Sequence, residues 1–174
     1  RWVKDIKVKE EEIIITDMAD EAFSSDRIVL PGVGAFCDCR NGLENLDGMM
    51  DALEQFVLGR GRPFFGICVG MQLMAMRGYE HGEHSGFGWI EGEVRQIAPQ
   101  SSKEDQELPL KIPHMGWNDL IIDQRSHPLL DGLNSGVHTY FVHSYAVTST
   151  LPKHQLAHVD YGGPIVAAVG RDNI

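Results

Sequence analysis

One stretch constrains this chain more than any other: Pro63-Phe64-Phe65-Gly66-Ile67-Cys68-Val69-Gly70-Met71-Gln72. An apolar run that reads as a strand enters Gly-x-Cys-x-Gly, and a helical pattern follows over Met71 to Met76. This is a nucleophile elbow with Cys in place of Ser. The bend forces its central residue into a strained conformation at the strand's carboxyl end. A Cβ two residues before or after that point collides with neighbouring backbone, so both places are glycine. The following helix favours the thiolate through its dipole. Its first free N–H, from Val69, points where an oxyanion forms. The competing explanation is a buried structural cysteine at a tight turn, but packing gives no reason for glycines at two-residue spacing on both sides.

The elements around the elbow alternate. Ile13-Ile14-Ile15 and Ile28-Val29-Leu30 read as buried strands, and Gly42 to Gly59 as a helix, because Leu43, Leu46, Met50, Leu53 and Val57 recur at three and four residues. Strand–helix–strand order implies parallel strands with crossover helices, and continuous apolar runs suit strands covered on both faces. Further on, Trp89 to Ile97, Leu110 to Ile112, Trp117 to Ile122, Thr139 to Val147, Leu156 to Val159 and Ile165 to Val169 are strand candidates with no helix of note between them. Gln100 to Glu107 reads as a polar surface loop. The expected class is α/β: an open, mostly parallel twisted sheet with flanking helices, and a strand-rich antiparallel extension in the C-terminal half. A length of 174 residues suits one domain spanning residues 1–174.

Composition narrows the partners. A formal net charge of −10, and no basic cluster beyond Lys4, Lys7 and Lys9, argue against nucleic acid. No apolar run approaches the ~20 residues of a membrane helix. Three cysteines, Cys37, Cys39 and Cys68, cannot all pair internally, which suits a reducing compartment, read as the cytoplasm. Cys37 and Cys39 form a C-x-C pair with no second pair or His cluster beside it, so no metal site and no cofactor is expected. A second glycine-rich loop, Pro31-Gly32-Val33-Gly34-Ala35-Phe36, follows an earlier strand. In a parallel sheet it shares the crevice at the strands' carboxyl ends, where it either offers a backbone N–H beside Cys68 or is an ordinary turn. The eight histidines, read singly, are solvated or structural.

The elbow and the Pro31–Gly34 loop, taken with Pro113-His114-Met115-Gly116-Trp117-Asn118 and Tyr140-Phe141-Val142-His143-Ser144-Tyr145, resemble the class I glutamine amidotransferases. Within them the set is similar to the glutaminase subunits of imidazole glycerol phosphate synthase, over nearly the whole chain. The resemblance implies a flavodoxin-like fold. It also implies that Cys68 attacks the amide of L-glutamine, that N–H groups of Val33 and Val69 form the oxyanion hole, and that Gly34, Gln72, Glu80, Ser144 and Tyr145 hold the substrate. Met115, Trp117, Asn118 and Tyr140 match a surface facing a (β/α)8-barrel cyclase, with which the subunit forms a heterodimer in histidine biosynthesis. Core packing is the competing account of those apolar side chains. The family also has a first strand, and a His-Pro-Glu segment supplying the triad's His and Glu, with no counterpart between Arg1 and Ile174. The sequence is therefore expected to be part of a longer polypeptide. Two alternatives stay open: a glutaminase serving another acceptor, such as a surface-sugar synthase, and a docking subunit that does not hydrolyse glutamine.

Overall fold

The structure is a computed structural model that describes residues 13–100, 110–124 and 127–174. The Lys4–Lys9 run and the loop expected from Ser101 to Glu107 lie outside the described residues. A short helix α1 (Ala19–Ser24) leads into β1 (Ile28–Gly32), α2 (Phe36–Glu44) and α3 (Met49–Glu54). Then come β2 (Phe64–Cys68), α4 (Val69–Gln72), β3 (Ala75–Gly78), β4 (His84–Ser85) and β5 (Ile90–Gln96). The remaining strands are β6 (His114–Ile122), β7 (Val137–His143), β8 (Tyr145–Thr148), β9 (Gln155–Asp160) and β10 (Pro164–Val169).

The parallel arrangement holds in the first half, where β1 pairs with β2 in register from Ile28↔Phe64 to Gly32↔Cys68. β3 also runs parallel to β5. The other described pairings are antiparallel: β3 with β4, β5 with β8, β6 with β7 and β9, and β9 with β10. The antiparallel extension is thus larger than the sequence reading made it, and it begins at β4.

Six expectations need correction. Ile13-Ile14-Ile15 is irregular and exposed, with no strand partner among the described residues. An apolar run alone does not make a strand without a neighbour for its N–H and C=O groups. The helix read from Gly42 to Gly59 is two helices. The first begins at Phe36, and Gly48, at φ +71°, breaks the path before α3, which runs on into a π-turn at Gln55–Gly59. Leu43, Leu46, Leu53 and Val57 still pack on one core, but the break shifts the phase so that Met49, and not Met50, is buried there. The helix after the elbow is a single turn, since the chain has become strand again at Ala75. Finally, β1 and β2 are covered on one face only among the described residues: Val29, Phe65 and Ile67 are exposed. Leu110 to Ile112 also lies outside any strand, and the run from Thr139 to Val147 is divided between β7 and β8 at Ser144.

The main core gathers Phe36, Leu53, Phe56, Leu73, Ile90, Val94 and Val147 under both halves. Trp89 ties them together, edge-on to Phe64 at 5.0 Å and 4.5 Å from Phe87 between ring centres. A second cluster of Leu120, Ala157 and Val159 lies under β6 and β9. No described helix is long and apolar enough to cross a membrane.

Candidate active site

Cys68 ends β2 at φ +55° and ψ −117°, a region that side-chain-bearing residues rarely adopt. Its neighbours hold it there. A Cβ on Gly66 would sit 2.5 Å from the Gly70 carbonyl oxygen, and one on Gly70 would sit 1.9 Å from the Leu30 carbonyl oxygen. Those contacts are with backbone and cannot yield by rotating a side chain. Val69, the next residue, is buried in the core, while Cys68 is exposed. One residue anchors the bend and the other presents its sulfur to solvent. Neither of the two cavities described in the chain touches Cys68.

The loop after β1 lies against the same bend. Gly32 pairs with Cys68, and a Cβ on Gly32 would meet the Gly70 nitrogen at 2.9 Å. Val33 is 97% exposed, and Gly34 takes φ +128°. Behind the loop the Cys39 thiol approaches the Val33 carbonyl at 3.7 Å. Burial, with the negative charges of Asp38, Cys68 and Glu80 after it, pushes the Cys39 thiol up. Cys39 is therefore held as a thiol behind the Val33–Gly34 loop. The described residues contain no cluster of metal-ligating side chains.

Because α4 is one turn long, its macrodipole contributes less than the sequence reading assigned it. What remains is local. Val69 is the first helical residue, and its N–H has no acceptor within the helix.

Glu80 reaches back to the loop: its Oε2 accepts from the Phe36 N–H at 2.8 Å, at the start of α2. This fixes the carboxylate next to Gly34 and Ala35. Gln72 is 6% exposed, and its Nε2 donates to the Tyr145 carbonyl at 3.0 Å. Ser144 and Tyr145 form the step between β7 and β8, and the Ser144 carbonyl accepts from Ile97 N–H at 2.9 Å. Among the described residues no histidine is hydrogen-bonded to Cys68.

β6 and β7 form a ribbon whose faces differ. Met115 is opposite Val142 and Trp117 opposite Tyr140, and all four are exposed. Trp117 packs edge-on against Tyr140 with ring centres 5.5 Å apart. A polar pair closes the stripe, His138 Nδ1 lying 2.6 Å from Asp119 Oδ1. Val142 was not singled out from the sequence; strand alternation from Tyr140 identifies it once the register is known. Asn118 departs from its expected companions. It lies on the opposite face, where its Nδ2 donates to the Asp160 carbonyl at 2.9 Å. The two-residue period puts 115 and 117 on one side and 118 on the other.

Residues 3–174 match the family described as Glutamine amidotransferase class-I. The subunit HisH of imidazole glycerol phosphate synthase from Rhodospirillum rubrum is 51% identical over 163 residues, which cover 94% of this chain and 73% of that protein. The corresponding HisH of Rhodopseudomonas palustris is 53% identical over 165 residues, covering 93% of this chain and 73% of that protein. Among solved structures, one described as a glutamine amidotransferase superposes with a TM-score of 0.57 at 16% identity, over 82% of this chain and 65% of that one. The glutaminase domain of Trypanosoma brucei CTPS with bound acivicin gives 0.50 at 17%, over 85% of this chain and 59% of that one. This chain thus spans less than two thirds of either solved chain, and at those identities the likeness concerns the fold. Family profile, relatives and elbow agree: the chain belongs to the class I glutamine amidotransferases and, within them, to the family of the HisH subunits of imidazole glycerol phosphate synthase.

Proposed function

We propose that this chain hydrolyses L-glutamine to glutamate and ammonia with Cys68 as nucleophile, and that the ammonia is passed directly to a synthase partner. One observation carries the reading: an exposed cysteine held at φ +55° between two glycines that no other residue can replace without a backbone clash. Strain of this kind persists where the surroundings enforce it, and it aims the sulfur away from the core.

The chemistry follows from that placement. The Cys68 thiolate adds to the side-chain amide carbon of glutamine, and the carbonyl electrons move onto oxygen. Backbone N–H groups of Val69 and Val33 receive that oxyanion. The C–N bond then breaks, nitrogen takes a proton and leaves as ammonia, and a glutamyl thioester remains. Water attacks the thioester and returns the thiol with glutamate. A histidine base is required for both proton transfers, and no described residue supplies one at hydrogen-bond distance. Glu80 suits the substrate's ammonium group. Gln72 and the Ser144-Tyr145 step, with Gly34, suit its carboxylate. The glycines flanking Val33 make reorientation of that peptide cheap, so activity can depend on the partner. No cofactor enters this scheme, and the reaction belongs in the cytoplasm.

The partner proposed is a (β/α)8-barrel cyclase. With it the ammonia would convert a ribulosyl-formimino-carboxamide ribonucleotide to imidazole glycerol phosphate and aminoimidazole carboxamide ribonucleotide. The exposed stripe of Met115, Trp117, Tyr140 and Val142 supports a docking surface, since aromatic and Met side chains are enriched at interface cores. Ammonia released into water becomes ammonium, so a sealed junction has a chemical reason.

Labelling tests the proposal. Diazo-oxo-norleucine added to the full-length gene product should modify Cys68 alone, and Cys68→Ala should abolish both labelling and ammonia release. Labelling that survives the substitution rejects the assignment. The second reading is a docking subunit without hydrolysis. It predicts no ammonia release even with the cyclase present.

A further inference from the structure

Beneath the exposed stripe, the inner face of the same ribbon carries two facing histidines. His114 and His143 are cross-strand partners, with His114 Nδ1 at 3.1 Å from His143 Nε2. His114 is 2% exposed and lies between the Phe141 ring, at 4.8 Å and 13°, and the Tyr161 ring, at 4.0 Å and 23°. The stacking restrains the plane of the ring, and the contact with His143 sets which way Nδ1 points within it. His143 Nδ1 lies 3.0 Å from the Tyr145 carbonyl, the same oxygen that accepts from Gln72 Nε2.

The proton positions follow from the partners. A carbonyl only accepts, so His143 Nδ1 carries a hydrogen. In the neutral ring Nε2 then accepts, so the hydrogen between the rings belongs to His114 Nδ1. His114 Nε2 is left as an acceptor, and it faces Asn118 Nδ2 at 3.5 Å. The Asn118 amide is oriented independently: its Oδ1 accepts from Asp119 N–H at 2.8 Å, and its Nδ2 also donates to the Asp160 carbonyl at 2.9 Å. Each link has one direction, from Asn118 through His114 and His143 to the Tyr145 carbonyl. A proton added to either ring puts two donors face to face at one junction and breaks the series.

We propose that His114 and His143 are positioning residues for the glutamine site: the directed chain from Asn118 holds the Tyr145 carbonyl where it fixes the Gln72 carboxamide. This rests on the glutaminase reading above. The residues at its two ends explain its value. Gln72 and Tyr145 are proposed to hold the substrate, whereas Met115 and Val142, immediate sequence neighbours of His114 and His143, belong to the outer stripe. The ribbon that carries a docking face on one side therefore sets substrate-binding groups from the other.

The test uses the full-length protein with its cyclase partner and compares wild type, His143→Ala and His143→Asn in glutamine hydrolysis. His143→Ala should raise KM for glutamine about tenfold, the loss expected for one buried hydrogen bond, with kcat within about twofold. In His143→Asn the side-chain amide replaces the Nδ1–H donor, and it should restore KM to within about threefold of wild type. Long-range nitrogen NMR of the wild type should find both rings neutral with hydrogen on Nδ1, the opposite of the form that free histidine prefers. An unchanged KM in His143→Ala, equal losses in both variants, or hydrogen on Nε2 of His143 would each overturn the proposal. Wild-type protein without turnover would instead overturn the glutaminase reading, so the two failures are told apart.

Discussion

The elbow and the β6–β7 ribbon solve the same problem, presenting chemistry at a surface, by opposite means. At the elbow, backbone does everything. Gly66, Gly70 and Gly32 let three chain segments touch at distances a single Cβ would violate, and the one side chain that matters points outward. In the ribbon, backbone is ordinary antiparallel sheet and side chains do the specifying. One face is apolar and exposed, the other a series of directed hydrogen bonds. Backbone-made geometry is rigid and intolerant of any substitution. Side-chain-made geometry is graded, since each link can be weakened singly.

The sharpest way to break this comparison is at Cys68 itself. Cys68→Gly removes the nucleophile and should lower glutamine turnover by about a thousandfold or more. The same change relieves a positive φ and should raise folding stability by about 1 kcal/mol. Turnover assays and urea unfolding of one sample check both. A loss of stability would mean that the bend is not strained at that residue.

Next come the glycines. Gly70→Ala drives a methyl group against the Leu30 carbonyl and should cost about 3 kcal/mol, read from the denaturation midpoint. Gly116, in the ribbon, has φ +143° but open space where its Cβ would go. Gly116→Ala carries conformational strain alone, about 1 kcal/mol. Similar costs at the two sites would remove the distinction between contact-limited and conformation-limited glycine.

The outer stripe should behave unlike either. Trp117 is 72% exposed, so Trp117→Ala should change folding stability by less than about 0.5 kcal/mol. If the stripe docks the cyclase, the same variant should weaken association by about 2 kcal/mol, roughly thirtyfold, measured by calorimetric titration with the partner subunit. Large destabilisation of the isolated protein would assign Trp117 to packing instead.

The two regions also differ in how far the sequence disclosed them. The elbow was readable because its cause is local: glycines two residues either side of Cys68 have one geometric explanation, and the clashes at Gly66 and Gly70 supply it. The length of α4 was not readable. Nothing in Met71 to Met76 announces that β3 begins at Ala75, because β3 is made by pairing with β4 and β5 rather than by propensity. Gly48 was a readable interruption that the three-and-four apolar spacing overrode. In the ribbon, the strand pattern was visible from Trp117 to Ile122, but not which face each residue takes. Asn118 shares its motif with Met115 and Trp117, and only the Trp117↔Tyr140 register separates them. The histidine pair was invisible for the same reason, since 29 residues of chain separate two rings whose relation exists only in the register.

The smallest expected effect concerns acidity, and it again separates the two regions. Burial lowers the pKa of His114, and the neighbouring His143 lowers it further. Burial is also the leading cause of lowering at His127 and His154, away from the ribbon. A histidine whose folded-state pKa is depressed binds fewer protons folded than unfolded below the ordinary value of ~6.5. Its neutral form therefore adds nothing adverse above that value, and stability falls as pH drops below it toward the folded pKa. Urea midpoints measured from about pH 7.5 to about pH 5.5 should decline. His114→Gln, which cannot titrate, should flatten part of that decline without touching the share of His127 and His154. Hydrolysis should lose glutamine affinity only at lower pH still, where His114 in the folded protein takes up a proton and interrupts the series ending at the Tyr145 carbonyl. The Cys68 bend, built of backbone contacts that do not titrate, should keep its geometry throughout. Alkylation of Cys68 by a neutral reagent, corrected for the thiolate fraction, would then stay level while KM rises, and a parallel fall in both would show that acid acts on the fold as a whole rather than through the ribbon.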